Sequence, residues 1–359
     1  MNKYLEIALI FARLGTLAFG GPAAHIAMME KEFVEKRQWL DKDEFLNLIG
    51  FTNLIPGPNS TEMALHIGYV RGGALGMFIA GLCFIVPAMT MVLILSYFLV
   101  EYGALPSVSS LMNGIIPVML AIVVSVLYSL GSKLLNNQLS IILSIFAFSI
   151  AFSGTNEIIV LLGIGALYYV LKKSPSFKAL SVEPFTLSLL FWTFLKIGSV
   201  LYGSGYVLLS FVKTEFLDTY QVLTLNQIMD AIAIGQVTPG PVFTTATAIG
   251  YMLFGVTGGI VATVGIFLPS FVFVIVLHPF FKKLSQNKQI SIFLDGVKLA
   301  SLALMANVAL TIGTSYIAQP LFILFPLALY LLIKTKLNPT WLILSGAIIG
   351  FVFPFLNLI

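Results

Sequence analysis

The tripeptide Pro56-Gly57-Pro58 recurs as Pro239-Gly240-Pro241, and hydroxyl-bearing residues follow each copy. Each copy lies inside a long apolar stretch. Proline removes a backbone donor and clashes with the preceding helical turn, so two prolines within three residues predict that one helix ends and another begins. The motif therefore predicts a broken helix that is present twice in one chain.

The overall composition is typical of a membrane protein. Of the 359 residues, 58% are hydrophobic and 9% are charged, whereas about a quarter of the residues in soluble domains are charged. The apolar stretches are long enough to cross a hydrocarbon core of about 30 Å as helices, and they lack the alternation of outer-membrane strands. We therefore expect an all-α polytopic membrane protein, with the lipid bilayer around it.

Several functional classes are excluded by the residues that the sequence contains. One cysteine, three scattered histidines and no paired carboxylate motif offer neither a catalytic centre nor a metal site. No Gly-rich loop ending in Lys-Ser or Lys-Thr occurs, which argues against ATP drive, and no basic block suggests nucleic acid. We predict a protein that is not an enzyme and needs no cofactor. The first apolar segment also lacks the cleavage pattern of a signal peptide.

The two halves of the chain share a pattern at an offset of about 183 residues. Most of the matches are Gly, Pro or Tyr, so shared hydrophobicity does not explain them. The matching pairs, some after a one-residue slip, include Gly15 with Gly198, Gly20 with Gly203, Gly68 with Gly250, Tyr69 with Tyr251 and Pro87 with Pro269. We predict an N-terminal repeat over residues 1–171 and a C-terminal repeat over residues 185–359, joined by a cytoplasmic linker at 172–184.

Each repeat offers the same series of apolar segments. In the first repeat they lie near residues 4–27, 45–70, 72–98, 106–130, 138–153 and 156–171. The Pro-Gly-Pro motif lies in the second segment, which we interpret as a re-entrant broken helix pair without a net crossing. About five transmembrane crossings then remain per repeat, and an odd number predicts two repeats of inverted topology.

The distribution of lysine and arginine favours this inversion, because cytoplasmic loops are enriched in these residues. Loop 28–44 holds four of them, and its counterpart 211–226 holds one. The next pair of loops reverses the bias, since 99–106 holds none and 282–288 holds three. We therefore expect inverted repeats with both termini outside the cell.

Interrupted helices within inverted repeats are typical of secondary transporters. Asn59, Ser60 and Thr61 follow the first break, and Thr244 and Thr245 follow the second. A helix N-terminus carries a partial positive charge and unpaired N–H groups, so two opposed N-termini could bind one anion between them. The alternative is a packed kink whose hydroxyls bond back to the preceding carbonyls. A channel is less favoured, because no helix face carries a continuous lane of polar residues.

Two duplicated cations support an anion site. Arg13 matches Lys196, and each lies well inside an apolar segment. A charge at that depth costs at least about 2.5–3.5 kcal/mol, so such residues are usually functional or paired. The alternatives are snorkelling to the interface or pairing with Glu6, Glu62 or Asp230. Glycine-rich breaks that follow each cation, Gly20-Gly21-Pro22 and Gly203-Ser204-Gly205, could line the same cavity.

Two carboxylates are candidates for coupling transport to an energy source. Glu62 follows the first break by four residues and could repel an anion when charged and admit it when protonated. Its alternative is a carboxylate satisfied by the helix N-terminus or by Arg13. Asp230 precedes the second break, and a structural pairing with Lys196 is the favoured interpretation of this residue. His25, next to the Gly-Gly-Pro break, could line the pathway.

The motifs resemble those of the chromate ion transporter family, in its long-chain fused two-domain form. The resemblance rests on Phe19-Gly20-Gly21-Pro22-Ala23-Ala24-His25, on Asn53-Leu54-Ile55-Pro56-Gly57-Pro58-Asn59-Ser60-Thr61 and on Gly235-Gln236-Val237-Thr238-Pro239-Gly240-Pro241. It implies export of chromate across a bacterial or archaeal cell membrane, driven by the proton gradient or the membrane potential. Transport of sulfate or another oxyanion, or an anion channel, remains the alternative. The second half departs from the pattern, since Tyr202-Gly203-Ser204-Gly205 replaces Phe19-Gly20-Gly21-Pro22.

The predicted substrate site gathers residues from both breaks and from the segments that precede them. Its members are Arg13, Gly20, Gly21, His25, Asn53, Pro56, Gly57, Pro58, Asn59, Ser60, Thr61, Lys196, Gly203, Gly205, Gln236, Thr238, Pro239, Gly240, Pro241, Thr244 and Thr245. Chromate or a related oxyanion is the expected ligand, and a homodimer is a candidate assembly.

Overall fold

The structure, a computed structural model, describes residues 2–18, 21–52, 55–103, 106–135, 138–153, 157–170, 185–201, 207–280, 288–335 and 339–356. Throughout these residues every regular element is helical. The α-helices are α1 (Lys3–Leu17), α2 (Gly21–Glu30), α3 (Lys42–Thr52), α4 (Asn59–Tyr102), α5 (Pro106–Leu134), α6 (Gln138–Phe152), α7 (Glu157–Val170), α8 (Leu187–Val200), α9 (Leu208–Val212), α10 (Leu225–Val237), α11 (Thr245–Leu277), α12 (Lys288–Tyr316), α13 (Leu324–Lys334) and α14 (Pro339–Val352).

The first helix of each sequence half begins and ends in the same way. The Asn2 side chain accepts a hydrogen bond from the amide of Tyr4 at the start of α1, and the Thr186 side chain accepts one from Leu189 at the start of α8. Such N-caps satisfy amides that have no partner within the helix. Both helices then stop at an extended residue, Ala18 after α1 and Leu201 after α8.

An irregular turn also recurs at equivalent positions of the two halves. A π-helical turn covers Lys31–Lys36 after α2, and another covers Lys213–Thr219 after α9. Each is followed by a glutamine in the left-handed region, Gln38 (φ 51°) or Gln221 (φ 53°). Because non-glycine residues rarely adopt such angles, their recurrence marks the same local structure in both halves.

The two long helices that follow the Pro-Gly-Pro motifs are each interrupted at a glycine. In α4 the interruption lies at Gly73 (φ 65°, ψ −158°), and in α11 it lies at Gly255 (φ 60°, ψ −152°). Only glycine adopts this backbone conformation at little cost. The segment boundary that the sequence predicts between residues 70 and 72 therefore falls at Gly73, within one pair of directly joined helices.

The first of two compact units combines Met1–Ser96, Pro184–Gly205 and Ile234–Ser291. Its helices pack through glycines that bring two backbones together. A Cβ at Gly15 would collide with the carbonyl oxygen of Phe84, and one at Gly198 would collide with that of Ile266. The buried aromatic rings of Phe11 and Phe33 stack at 5.1 Å in its core. Close helix contact through small residues is the usual packing of helices in membranes.

The second compact unit combines Tyr97–Glu183, Tyr206–Ala233 and Ile292–Ile359. Helices α5 and α14 cross closely in it, because a Cβ at Gly114 would collide with the carbonyl oxygen of Gly346 and would lie 2.8 Å from Gly350 Cα. Helix α7 contacts α12 at Gly165, whose Cβ position lies 2.7 Å from Val297 Cγ2. Both compact units thus draw on segments from both sequence halves.

Length and composition confirm an all-α membrane protein. Four helical stretches in the described part of the chain are long and apolar enough to cross a membrane: Asn59–Tyr102, Ser110–Ser132, Val242–Leu277 and Ile292–Tyr316. Shorter apolar helices cover Gln138–Phe152, Leu187–Val200, Pro320–Lys334 and Trp341–Val352. The predicted linker at 172–184 lies outside the described residues.

Candidate functional site

The first Pro-Gly-Pro motif forms a buried break between α3 and α4. Gly57 adopts φ 137°, and its amide donates a hydrogen bond to the carbonyl of Leu201 at 2.8 Å. The carbonyl of Pro58 accepts from the amides of Thr61 and Glu62, at 2.7 and 3.0 Å, which closes the first turn of α4. The break predicted from the prolines is therefore present and places the α4 N-terminus in the interior of the first compact unit.

The second Pro-Gly-Pro motif forms the corresponding break after α10. Gly240 adopts φ 96°, and its amide donates to the carbonyl of Ala18 at 3.1 Å. A short 3₁₀ turn, Val242–Thr244, then leads into α11. Here too the motif is buried.

The two breaks are held reciprocally by the opposite sequence halves. Gly57 bonds to the residue that ends α8, and Gly240 bonds to the residue that ends α1. A Cβ on Gly57 would lie 2.5 Å from Ser270 Oγ, and one on Gly240 would lie 2.5 Å from Ala88 Cβ. Ser270 and Ala88 each follow a proline inside the long helix of the other half. Glycine is therefore required at both positions by its backbone angle and by its neighbour.

The threonine hydroxyls at the second break are bonded to nearby carbonyls. Thr238 Oγ1 donates to Ile234 at 3.0 Å, Thr244 Oγ1 to Pro241 at 2.8 Å and Thr245 Oγ1 to Val242 at 2.9 Å. The alternative of hydroxyls bonded back to the helix thus holds for these three side chains. Because these hydroxyl protons already form hydrogen bonds, only backbone amides and hydroxyl lone pairs at this break can contact a ligand.

The first break contains polar atoms that have no partner among the described residues. These atoms are Thr61 Oγ1 and both carboxyl oxygens of Glu62. Both side chains are fully buried. The Cβ position of Gly57 touches Glu62 Oε1 as well as Ser270 Oγ, so carboxyl and hydroxyl lie around the same point. The two breaks therefore differ in chemistry although their backbones correspond.

Arg13 lies on α1 and forms an ion pair. Its Nη2 is 2.7 Å from Glu32 Oε2, and its side chain is 51% exposed, whereas that of Glu32 is 8% exposed. Glu32 also accepts a hydrogen bond from Arg37 Nε at 2.9 Å and lies 3.6 Å from Lys36 Nζ. Burial, the largest single influence, raises the pKa of Glu32, but the hydrogen bond from Arg37 and the three cations together lower it below its ordinary value.

The partner of Arg13 differs from those that the sequence suggests. Glu6, one suggested partner, pairs instead with Arg37 and, at 3.2 Å, with Arg71. Glu32 lies in the π-helical turn after α2, where no local pattern singles it out. Arg13 thus belongs to an ion network of α1 and the turn after α2.

The remaining predicted residues have these positions. Lys196 is partly buried on α8, and Gln236 and Asp230 are partly buried on α10. His25 is buried on α2, and its Nε2 lies 2.8 Å from the carbonyl oxygen of Ala18. Gly21 begins α2. The breaks bury all four motif prolines, Pro56, Pro58, Pro239 and Pro241. Ser60 is also buried, and Asn59 is partly buried. Gly20, Asn53, Gly203 and Gly205 lie outside the described residues.

Two features of this unit do not follow from the motif analysis. One is the approach of Ser270 to Gly57. In the sequence, Ser270 stands out only because it follows a duplicated proline at the position where the first half has Ala88. His66 and His278 join the two sequence halves through a contact of 2.8 Å between their Nδ1 atoms. The sequence favours only helix or interface positions for these histidines.

Comparisons with known proteins find sequence matches in both halves of the chain. The sequence model of the chromate transporter family matches residues 5–170 and again residues 188–351. A chromate transport protein of Cupriavidus metallidurans is 29% identical over 377 residues, which cover 98% of this chain and 94% of the relative. A probable chromate transport protein of Synechococcus elongatus is 29% identical over 97% of this chain and 95% of its own length.

A shorter relative matches only half of the chain. An uncharacterized transporter of Bacillus subtilis is 31% identical over 181 residues, which cover 48% of this chain and 90% of the relative. No solved structure matches the chain significantly. Since the family model spans nearly the whole sequence in two consecutive matches, the chain belongs to the chromate transporter family.

Proposed function

We propose that this protein is a secondary active transporter of a tetrahedral oxyanion, and that it exports chromate across the cell membrane. The observation that carries the proposal is the reciprocal anchoring of the two breaks, Gly57 to Leu201 and Gly240 to Ala18. Each anchored break precedes the N-terminus of a long apolar helix. Broken helices that meet inside a protein are the usual substrate sites of secondary transporters.

The proposal includes two inverted repeats, over residues 1–171 and 185–359, with about five crossings and one re-entrant pair each. The reversed lysine bias of equivalent loops supports opposite orientations. A relative of half this length supports the view that one repeat corresponds to an ancestral chain. In transporters of this architecture, one repeat rocks against the other around a fixed central site.

The oxyanion binds between the N-termini of α4 and α11, near Thr61 and Thr244. Helix N-termini attract anions through their amides and their partial positive charge. The hydroxyl of Thr61 is buried and has no partner in the described part of the chain, so it can donate to the anion. The hydroxyl of Thr244 donates to Pro241, and backbone amides therefore supply the contacts at the second break.

Arg13 and Lys196 supply the positive charge that a dianion requires. Arg13 pairs with Glu32 through Nη2. The guanidinium group has further N–H donors in a planar arrangement that matches oxyanions, and these can contact the substrate. His25 and Gln236 complete the polar lining, and Glu62 and Asp230 remain the residues proposed for energy coupling. The driving force is the proton gradient or the membrane potential.

Flux measurements in proteoliposomes test this function. We expect saturable chromate uptake by the purified wild type, which sulfate and phosphate inhibit to different degrees. Arg13→Gln and Lys196→Gln should each abolish this flux in protein that elutes normally by size exclusion. Lys213→Gln is the control, because Lys213 pairs with Asp218 at 2.8 Å on another segment. Flux that does not saturate would indicate a channel, and wild-type flux in both variants would overturn the anion site.

A further inference from the structure

Glu62 is a carboxyl group held in the protein interior without compensation. Its side chain is 0% exposed, and neither oxygen has a hydrogen-bond donor in the described part of the chain. The hydroxyl of Ser270 is likewise buried and without a partner among those residues. Both groups lie against Gly57, which is fixed by its bond to Leu201.

The ionisable groups on the elements around Glu62 are engaged elsewhere or form no contact with it. On α4 itself His66, one turn further along, bonds to His278. On α1 Arg13 pairs with Glu32, and on α2 His25 contacts the Ala18 carbonyl. Lys196 on α8 and Tyr251 on α11 form no hydrogen bond with the Glu62 carboxyl oxygens. In the described part of the chain, no cation therefore donates a hydrogen bond to the Glu62 carboxyl group.

An ionised carboxylate is costly to bury alone, and a buried carboxyl without a cation takes up a proton instead. A hydroxyl group suits both states of such a carboxyl. It accepts a hydrogen bond from the protonated form and donates one to the ionised form. Glu62 and Ser270 are thus chemically complementary in either state, although they come from opposite halves of the sequence.

We infer that Glu62 and Ser270 together form a proton-binding site that takes up and releases one proton in each transport cycle. The inference rests on the proposed function and deepens it. In the ionised state Glu62 places a negative charge in the first turn of α4, where it competes with the oxyanion for the helix N-terminus. Proton binding therefore favours anion binding, and linkage requires the reverse as well. Proton and oxyanion move in the same direction, so export of a dianion with one proton carries one negative charge outward. The membrane potential, rather than the proton gradient, then drives export.

The second break lacks this pair of a carboxyl group and a hydroxyl group. Thr245 stands where the first half has Glu62, and its hydroxyl bonds to Val242. Ala88 stands where the second half has Ser270, and it offers no polar atom. The two breaks are therefore specialised: both provide helix N-termini, and one of them adds the proton site.

The test compares chromate flux with proton movement in the same proteoliposomes, using an internal pH indicator. With the wild type, chromate uptake should carry protons inward and rise when the outer solution is made acidic. Glu62→Gln should move no protons above the level of protein-free liposomes and should lose the pH dependence, while exchange of internal for external chromate stays measurable. Ser270→Ala should weaken the pH dependence, and Ser270→Thr, which keeps the hydroxyl, should restore it.

Ser96→Ala is the matched control, because Ser96 is another buried hydroxyl without a partner among the described residues. It should behave as the wild type. Proton movement by Glu62→Gln equal to that of the wild type overturns the inference, as does chromate uptake that drives protons outward. Wild-type chromate flux without any proton movement overturns this inference alone. A wild type that moves no oxyanion overturns the proposed function together with it.

Discussion

The amide of Gly240 donates a hydrogen bond to the carbonyl of Ala18, at 3.1 Å. The same carbonyl lies 2.8 Å from His25 Nε2, so that one oxygen accepts from two donors. At the first break the corresponding carbonyl, that of Leu201, accepts from the Gly57 amide at 2.8 Å. In the second half, Leu208 occupies the position equivalent to His25. The α1 terminus is thus reinforced by a side chain that the equivalent α8 terminus lacks.

Replacing either motif glycine should destabilise the protein. Gly57→Ala places a Cβ against Ser270 on a backbone with φ 137°. Gly240→Ala places one against Ala88 on a backbone with φ 96°. Strain at such angles costs about 1–3 kcal/mol. We expect a lower thermal midpoint in detergent for both variants. Gly163→Ala is the control, since its Cβ would meet nothing within 4 Å, and a midpoint equal to that of this control would contradict the expectation.

The His25 ring should stabilise the end of α1 through its hydrogen bond. Because a carbonyl can only accept, Nε2 carries the proton, and His25→Leu removes this donor while keeping an apolar side chain of similar size. Loss of a buried hydrogen bond typically costs about 1 kcal/mol. We expect a lower thermal midpoint for His25→Leu and partial recovery in His25→Gln, whose amide can donate. Equal midpoints for both variants would show that the hydrogen bond contributes nothing.

Local signals in the sequence predict the breaks but not the contacts that hold them. Two prolines in three residues end a helix wherever they occur, so the boundaries at residues 56–58 and 239–241 follow from short-range sterics. The bond from Gly57 to Leu201 joins distant segments, and a backbone carbonyl has no signature in the sequence. For Arg13 the sequence indicates only that a buried or interfacial cation needs a partner. The choice of Glu32 depends on how the turn after α2 folds back.

The Glu32 ion network should make stability depend on pH. Since its cations lower the pKa of Glu32 in the folded protein, ionised Glu32 contributes stability above the ordinary value of 4.5. This contribution is lost as the pH falls through the lowered folded-state pKa. The difference in thermal midpoint between wild type and Glu32→Gln should therefore be large at neutral pH and shrink in acid. Glu35→Gln, at an exposed position of the same turn, should show no such trend.

His66 and His278 should stabilise each other across the two sequence halves. Their Nδ1 atoms lie 2.8 Å apart, so one ring must donate a proton and the other must accept it. His66 is 0% exposed and its Nε2 has no partner among the described residues, which favours a bare Nε2 and a proton on Nδ1. His66 is then the donor and His278 the acceptor.

A double-mutant cycle measures this link. His66→Phe leaves the acceptor of His278 unsatisfied, and His278→Phe leaves a buried N–H on His66, so each single change should lower the free energy of unfolding. The double variant leaves neither polar group without a partner. Its loss of unfolding free energy should therefore be smaller than the sum of the two single losses by about 1 kcal/mol. Strictly additive losses would mean that the two rings are adjacent without a hydrogen bond. Reversible unfolding in mixed micelles, followed by tryptophan fluorescence, provides the three differences.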